Sequence, residues 1–157
     1  MTVMTISRRR FLVTAASLLA PCAAAAPILP TDFDPGRNPA RDLAAALEIA
    51  RSTNRRVIVD VGGEWCTWCH ILDRLFSIDA ELKRVRDRGF VWLKVNFSNQ
   101  NRNEAFLRRW PKIPGYPHLF VLEGDGRLLH SQDTAVLEDG KSYDVGAMRA
   151  FLVKWSL

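Results

Sequence analysis

Cysteine is scarce in this chain, and internal repeats are absent. Only three of its 157 residues are cysteines, and the one low-complexity tract is an alanine stretch near the N-terminus. Without repeats, a chain of this length is expected to form one domain with a true hydrophobic core and little else. Since 48% of the residues are apolar and 25% charged, the composition indicates a globular protein and not a disordered one.

A strong charge of one sign is also missing from most of the chain. The formal net charge is +5, but three arginines lie in the first 26 residues, where there are no acids. With those three set aside, 19 basic and 17 acidic residues remain, a net charge of +2. Arg55-Arg56 and Arg108-Arg109 are short basic pairs typical of a solvated surface. No nucleic-acid partner is therefore expected.

The apolar run at residues 11–20 is too short and too alanine-rich for a membrane span of about 20 residues. It follows Ser7 and the arginines 8–10, and small residues follow it, so residues 1–26 are predicted to be a cleavable export signal. Ser-Arg-Arg-x-Phe-Leu resembles the twin-arginine export motif. Processing is expected near Ala25 or Ala26, which predicts a periplasmic or otherwise exported protein.

Cys22 lies inside this leader. Leu19 to Cys22 vaguely resembles a lipoprotein processing site, although Pro21 is unusual there, and a membrane attachment is expected only if Cys22 is lipidated. Otherwise Cys22 leaves with the signal. The folded part keeps Cys66 and Cys69, and neighbouring cysteines of an exported protein usually pair with each other.

The segment Trp65-Cys66-Thr67-Trp68-Cys69 follows the apolar run 57–61 after three residues, Gly-Gly-Glu. In the first turn of a helix, positions i and i+3 lie on one face, so these two sulfurs can form a disulfide. The free N–H groups and the helix dipole favour a thiolate on the first sulfur. A strand that ends on C-x-x-C before a helical pattern therefore predicts a thiol–disulfide redox centre.

The remaining elements are predicted from apolar periodicity and turn residues. Residues 27–38 are expected to be a linker, and the domain is expected to span 39–157. The predicted helices are 39–53 capped by Asn38, a helix after the cysteines that restarts at Ser77 or Asp79, a short helix at 103–110, and 144–155. The predicted strands are 57–61, a second central strand at 90–97, and a hairpin of 118–123 with 127–132. This order implies an α/β domain whose mixed sheet of about four strands is flanked by helices.

Residues 39–156 resemble a thioredoxin-fold domain, especially the exported thioredoxin-like proteins of the disulfide-reductase and interchange group. Three segments carry the resemblance in the family's order: 59–69 with the cysteines, Ile113-Pro114-Gly115-Tyr116-Pro117-His118-Leu119, and the turn 124–127. The resemblance implies a thioredoxin-like three-layer sandwich. Thr67 and Trp68 stand where thioredoxin has glycine and proline, and His118 stands where threonine is common, so the net direction of the reaction stays open.

The resemblance also assigns roles at the site. Cys66 would be the exposed nucleophile with a lowered pKa, and Cys69 the more buried resolving cysteine. Asp60 lies where the family places a buried carboxylate, whose raised pKa would let it take the proton from Cys69; a carboxylate satisfied at a strand end is the alternative. Tyr116-Pro117 would be a cis peptide beside the disulfide, its backbone free to pair with a substrate strand. Trp65 and Trp68 would form an apolar rim for the substrate, or would fill the core.

Three other interpretations stay open. Cys66 to His70 also satisfies the C-x-x-C-H pattern of c-type haem attachment, with Met148 as the second axial ligand. The two cysteines with His70, His118 or His130 could bind zinc, although no second metal-spaced pair exists. A binding or chaperone module with a structural disulfide is the third. The preferred prediction has no metal and no organic cofactor, and a monomer that acts on protein thiols or disulfides with a redox partner protein.

Overall fold

The computed structural model describes residues 27–157. The predicted export signal at 1–26 and Cys22 lie outside the described residues. Within the described part, no helix is both long enough and apolar enough to cross a membrane.

Five α-helices and six strands make up the described chain. The helices are α1 Pro39–Thr53, α2 Thr67–Ile78, α3 Ala80–Gly89, α4 Glu104–Leu107 and α5 Val145–Trp155. The strands are β1 Arg56–Gly62, β2 Phe90–Asn96, β3 His118–Leu122, β4 Leu128–Asp133, β5 Glu138–Asp139 and β6 Ser142–Tyr143, with a 3-10 turn at Thr134–Leu137.

Side chains that accept from free backbone N–H groups set the starts of the main helices. Asn38 caps α1 and Asp144 caps α5, each through its side-chain oxygen. Asp79 caps α3, where its Oδ1 accepts from the N–H of Leu82 at 2.8 Å. An N-cap satisfies donors that the helix itself leaves unpaired. The predicted helix 39–53 and the predicted restart at Asp79 are confirmed.

The main sheet has the strand order β2-β1-β3-β4, with β1 parallel to β2 and the other pairs antiparallel. This confirms a mixed sheet of four strands. The prediction that 90–97 is a central strand is wrong, because β2 lies at the edge and β1 and β3 occupy the centre. The apolar residues of β2 are buried because helices cover its faces, and not because strands flank it on both sides.

Alternation along β1 divides the core into two layers. Val57, Val59 and Val61 pack with the apolar face of α1, whereas Ile58 packs with residues of α2, α3 and α5. The three-layer sandwich is thereby confirmed. Since side chains two apart share a face of a strand, Asp60 is on the same side of the sheet as Ile58, beneath α2.

Two predictions need correction, and one pair of strands was not predicted. Residues 27–38 are irregular, as expected, but they are not a free linker, because Phe33 is buried and 1% exposed. The helix predicted at 103–110 is limited to the four residues of α4, preceded by Asn103 in the left-handed region at φ 48°. The pair β5–β6 was not predicted, since strands of two residues have no detectable periodicity.

Candidate active site

The end of β1 and the start of α2 place the two cysteines together. Cys66 is the N-cap of α2, and its Sγ accepts from the N–H of Cys69 at 3.2 Å. The two sulfurs are joined in a disulfide, with the Cα atoms 5.3 Å apart. The N-cap position directs the free N–H groups of the first helical turn toward this sulfur, an arrangement that stabilises a thiolate after reduction.

Both sulfurs are shielded from solvent. Cys66 is 3% exposed and Cys69 1% exposed, so the expectation that Cys66 is exposed is wrong. Phe33 forms one buried cluster with the two cysteines, and Trp68 and Tyr116 pack against the same cluster. No apolar periodicity predicts this contact, because Phe33 lies in an irregular segment far from the cysteines in the chain.

Gly62 allows this close approach at the end of β1. A Cβ atom built on Gly62 would lie 2.4 Å from Sγ of Cys69 and 3.0 Å from Cζ of Phe33. The sulfur cannot withdraw, because it is held in the disulfide with Cys66. A glycine is therefore required where the strand passes beneath the disulfide.

Asp60 is a buried carboxylate in this layer, 1% exposed. Its Oδ2 accepts from Nε1 of Trp92 at 3.0 Å and lies 3.6 Å from Nζ of Lys94, while Oδ1 has no hydrogen-bond partner. Burial raises the pKa of Asp60, and the charge of Lys94 and the hydrogen bond from Trp92 oppose the rise only in part. A carboxyl group that holds its proton unusually strongly is suited to exchange it with a neighbouring group.

Lys94 is a polar residue of the site that the sequence reasoning missed. It is directly opposite Asp60 in the parallel pairing of β1 and β2, and it is 8% exposed. Its Nζ donates to both carboxylate oxygens of Asp73 at 2.8 Å and lies 4.0 Å from the ring centroid of Phe33. The sequence signal that could have identified it is the single lysine within the apolar run 90–95. A cation buried in such a strand requires a negatively charged partner.

The Tyr116-Pro117 peptide bond is cis, as the resemblance implies. Tyr116 stacks on Phe97 with ring centroids 4.8 Å apart and meets Trp65 edge-on at 5.6 Å. The carbonyl of Pro117 accepts from Oγ1 of Thr134 at 2.6 Å, which anchors the loop. The loop and the cysteines are thus neighbours, through the contact of Tyr116 with the disulfide cluster.

The two tryptophans beside the cysteines have different surroundings. Trp65 is 56% exposed, and its Nε1 donates to the carbonyl of Phe97 at 2.7 Å. Trp68 is half-buried and packs edge-on against Tyr143 at 5.3 Å. The structure therefore places Trp65 at the rim of the site, whereas Trp68 also contributes to the core.

The histidines do not gather around the sulfurs. Nε2 of His70 lies 2.8 Å from the carbonyl oxygen of Glu64, and that of His118 lies 2.8 Å from Oγ of Ser131. Burial lowers the pKa of His118 to about 4, so this ring is neutral at physiological pH. His130 stacks on Trp155 with centroids 4.6 Å apart.

This arrangement does not favour haem or zinc. The sulfurs of Cys66 and Cys69 bond to each other, and Met148, which the haem interpretation requires as a ligand, is fully buried in the core. Between residues 27 and 157, no group of three His, Cys, Asp or Glu side chains could hold a metal ion.

The four-stranded sheet, the disulfide at the start of α2 and the adjacent cis-proline loop define a thioredoxin-like domain. Residues 38–124 match the thioredoxin-like family. The chain belongs to that family.

Two relatives resemble the chain in sequence. It is 28% identical over 125 residues to the thiol:disulfide interchange protein DsbD of Pseudomonas fluorescens. The aligned region covers 79% of this chain and 20% of DsbD. The chain thus spans about a fifth of this relative. It is 35% identical over 69 residues to a thioredoxin of Mycoplasmoides gallisepticum, covering 44% of the chain and 67% of the thioredoxin.

Solved structures share the fold. The disulphide isomerase from Xylella fastidiosa Temecula1 superposes with a TM-score of 0.67 at 20% identity, covering 81% of this chain and 96% of the isomerase. The C-terminal domain of DsbD from Neisseria meningitidis, in the oxidised form, gives a TM-score of 0.50 at 20% identity, covering 65% and 85%.

Proposed function

We propose that this protein is an exported thiol–disulfide oxidoreductase that exchanges the Cys66–Cys69 disulfide with protein thiols and disulfides. The observation that carries the proposal is the disulfide itself, closed across the first turn of α2 with Cys66 at the N-cap. A sulfur in this position is a good leaving group and a good nucleophile, because the helix N-terminus stabilises its thiolate.

In the reducing direction, the thiolate of Cys66 attacks a sulfur of a client disulfide, and the other client sulfur leaves as a thiolate. Cys69 then attacks Cys66 in the mixed disulfide, which releases the second client sulfur and forms the Cys66–Cys69 bond. Two electrons pass from the protein dithiol to the client. The oxidising direction is the same sequence in reverse.

Asp60 would take the proton of Cys69 as that sulfur becomes nucleophilic. Its support is its burial beneath α2, its raised pKa and its unpartnered Oδ1. Lys94 would limit how far the pKa rises, because its Nζ lies 3.6 Å from Oδ2. Asp60 is thus poised to accept one proton and return it to solvent later.

A client would bind over the aromatic surface beside the disulfide. Trp65 and Tyr116 supply exposed or half-buried rings there, Pro117 supplies the loop backbone, and Trp68 borders the same cluster. Aromatic side chains suit this role, since they offer contact area with little loss of conformational entropy.

Export is supported by the pattern of residues 1–26, which would be removed as a signal. This protein would act in the periplasm or another exported location as a monomer, on protein clients and with a redox partner protein. Lipidation of Cys22 would attach the protein to a membrane.

Insulin reduction with dithiothreitol as the electron source tests the function. The wild-type protein should accelerate precipitation of the insulin B chain, whereas Cys66→Ser should be inactive. Cys69→Ser should accumulate mixed disulfides with clients. These appear as additional bands on a non-reducing gel and disappear when the sample is reduced first. If Cys66→Ser retained the wild-type rate, Cys66 would not be the nucleophile.

One observation favours a second candidate, a thioredoxin-fold binding module with a structural disulfide. Both sulfurs are almost fully buried, whereas redox-active cysteines are usually accessible. In this case neither the wild type nor the cysteine variants would accelerate insulin reduction.

A further inference from the structure

We propose that residues 27–38, here called the N-terminal cap, are an inhibitory lid. Phe33 of this cap covers the disulfide, so thiol–disulfide exchange is restricted to partners that displace the Phe33 side chain. The regulatory meaning of the lid rests on the proposed function. Its physical basis, the access of reagents to the disulfide, can be tested without any protein client.

Phe33 is the buried side chain that the cap places against the two cysteines. It is 1% exposed, and it forms a buried cluster with Cys66 and Cys69. Its ring also lies against the glycine at the end of β1, and the ammonium of Lys94 lies 4.0 Å from the ring centroid on another side. One side chain of the cap therefore lies against both the disulfide and the lysine that pairs with Asp60.

The cap is anchored at its two ends, by Leu29, which packs against the core cluster of α1, and by Arg37, which pairs with Asp42. Around Phe33, between these ends, few polar contacts hold it. The N–H of Phe33 donates to Oε1 of Glu64 at 3.0 Å, and Nδ2 of Asn101 donates to the carbonyl of Pro35 at 2.9 Å. The cap has neither helix nor strand between Pro27 and Asn38, so no cooperative hydrogen-bonded element must break when it lifts. Segments held in this way open locally at a free energy far below that of global unfolding.

Space for the ring is available beside the site. A cleft of about 660 Å³, much larger than a phenyl ring, is bordered by Phe33, Trp65 and Phe97, with Arg102 and Glu64 among its polar residues. The ring can rotate into this cleft without disturbing the sheet. In the closed position it blocks approach to the sulfurs, and exchange needs a thiolate in line with the S–S bond.

The lid makes the site selective for partners that bind beside it. A protein client with an apolar side chain next to its cysteine replaces the contacts of Phe33 and so offsets the free energy of opening. A small hydrophilic thiol offers no such replacement and must wait for spontaneous opening. Its observed rate is therefore the intrinsic rate multiplied by the open fraction.

The test is the rate at which excess dithiothreitol opens the disulfide, followed by quenching with iodoacetamide and mass analysis of the peptides that contain Cys66 and Cys69. One dithiothreitol thiolate attacks a protein sulfur, and the other protein sulfur leaves as a thiolate. The second reagent thiol then closes the reagent into its cyclic disulfide and releases the first protein sulfur. The reagent loses two electrons, and the protein disulfide gains them.

Phe33→Ala should react about tenfold faster than wild type or more, as expected for an open fraction of about 10% or less. Ile28→Ala, at an 86% exposed residue of the same cap, should react at the wild-type rate. The ratio of insulin-reduction rate to dithiothreitol rate should fall in Phe33→Ala, because the variant loses discrimination against small thiols.

A second pair of variants removes the dependence on Phe33→Ala folding. Glu64→Gln and Glu64→Ala lose the same charge, but the Gln oxygen can still accept from the N–H of Phe33. The lid predicts that Glu64→Ala reacts faster than Glu64→Gln. Equal rates in this pair, or a wild-type rate in folded Phe33→Ala, would overturn the lid. A faster Phe33→Ala with no insulin reduction by any variant would retain the lid and reject the proposed function.

Discussion

Among single residues, Asp60 and Lys94 determine the electrostatics of the site. Their side chains face each other across β1 and β2, and the lysine also binds the half-exposed Asp73. Burial of Asp60 outweighs the attraction of Lys94, so the pKa of Asp60 is raised. A fully buried charge is costly unless it is well paired, and the 3.6 Å separation is a weak pairing.

Asp60→Asn should stabilise the protein at neutral pH. The folded state holds the proton of Asp60 to a higher pH than the unfolded state does. The free energy of unfolding of the wild type therefore falls as the pH rises from the ordinary aspartate pKa of about 3.8 through the raised pKa of Asp60. Asn cannot ionise, so its advantage in free energy of unfolding should grow from acid to neutral pH. Urea denaturation at a series of pH values measures this difference.

The same variant should slow the attack of Cys69 on the mixed disulfide, by about 10²-fold if Asp60 supplies the full effect of a general base. Asp73→Asn is the matched control, since it removes the other carboxylate on Lys94 but leaves the buried one, and should show no such gain in stability. An Asp60→Asn variant with the stability and resolution rate of wild type would show that Asp60 is only a structural carboxylate.

The sequence was informative for some of these residues and silent for others. Cys66, Cys69 and Asp60 were identified because their spacing repeats a local motif. The burial of Cys66 was not, since it depends on Phe33, which is 33 residues earlier and belongs to no periodic element. Lys94 was missed because its partner is contributed by strand pairing, which a single sequence does not specify.

At the level of elements, Asp79 separates α2 from α3. Its backbone N–H donates to the carbonyl of Leu75 at the end of α2, while its side chain caps α3. This break turns the chain so that α3 packs against β2 and α5.

Asp79→Ala should lower the free energy of unfolding by about 1 kcal/mol, because it removes the hydrogen bond to Leu82 and leaves that donor unpaired. Asp79→Asn keeps a capping oxygen and should lie within a few tenths of a kcal/mol of wild type. Both values come from urea unfolding followed by fluorescence. Equal stability of the Ala and Asn variants would show that the cap contributes nothing.

Elements with strong local signals were predicted well, and those set by tertiary contacts were not. Helix α1 matches its predicted bounds because a cap, an early proline and apolar spacing agree. Strand β2 was misplaced in the sheet because an edge strand covered by helices has the same apolar content as a central one. Helix α4 is shorter than predicted because the apolar spacing of residues 103–110 does not reveal where a helix stops.

Over the whole molecule, the sheet and its helices bring distant segments to one point. The C-terminal end of β1, the start of α2, the proline loop and the N-terminal cap all meet at the disulfide. The first three could be anticipated, because each carries a motif of the family. The position of the cap could not be anticipated, since it depends on a long-range contact between one aromatic side chain and the cysteines.

The most direct test is an equilibrium titration of the Cys66–Cys69 pair in redox buffers, with both thiols counted by peptide mass. A redox-active pair should interconvert reversibly as a two-electron couple between about −270 mV and −120 mV. A pair that stays oxidised below about −300 mV would be a structural disulfide, and the proposed oxidoreductase would be rejected.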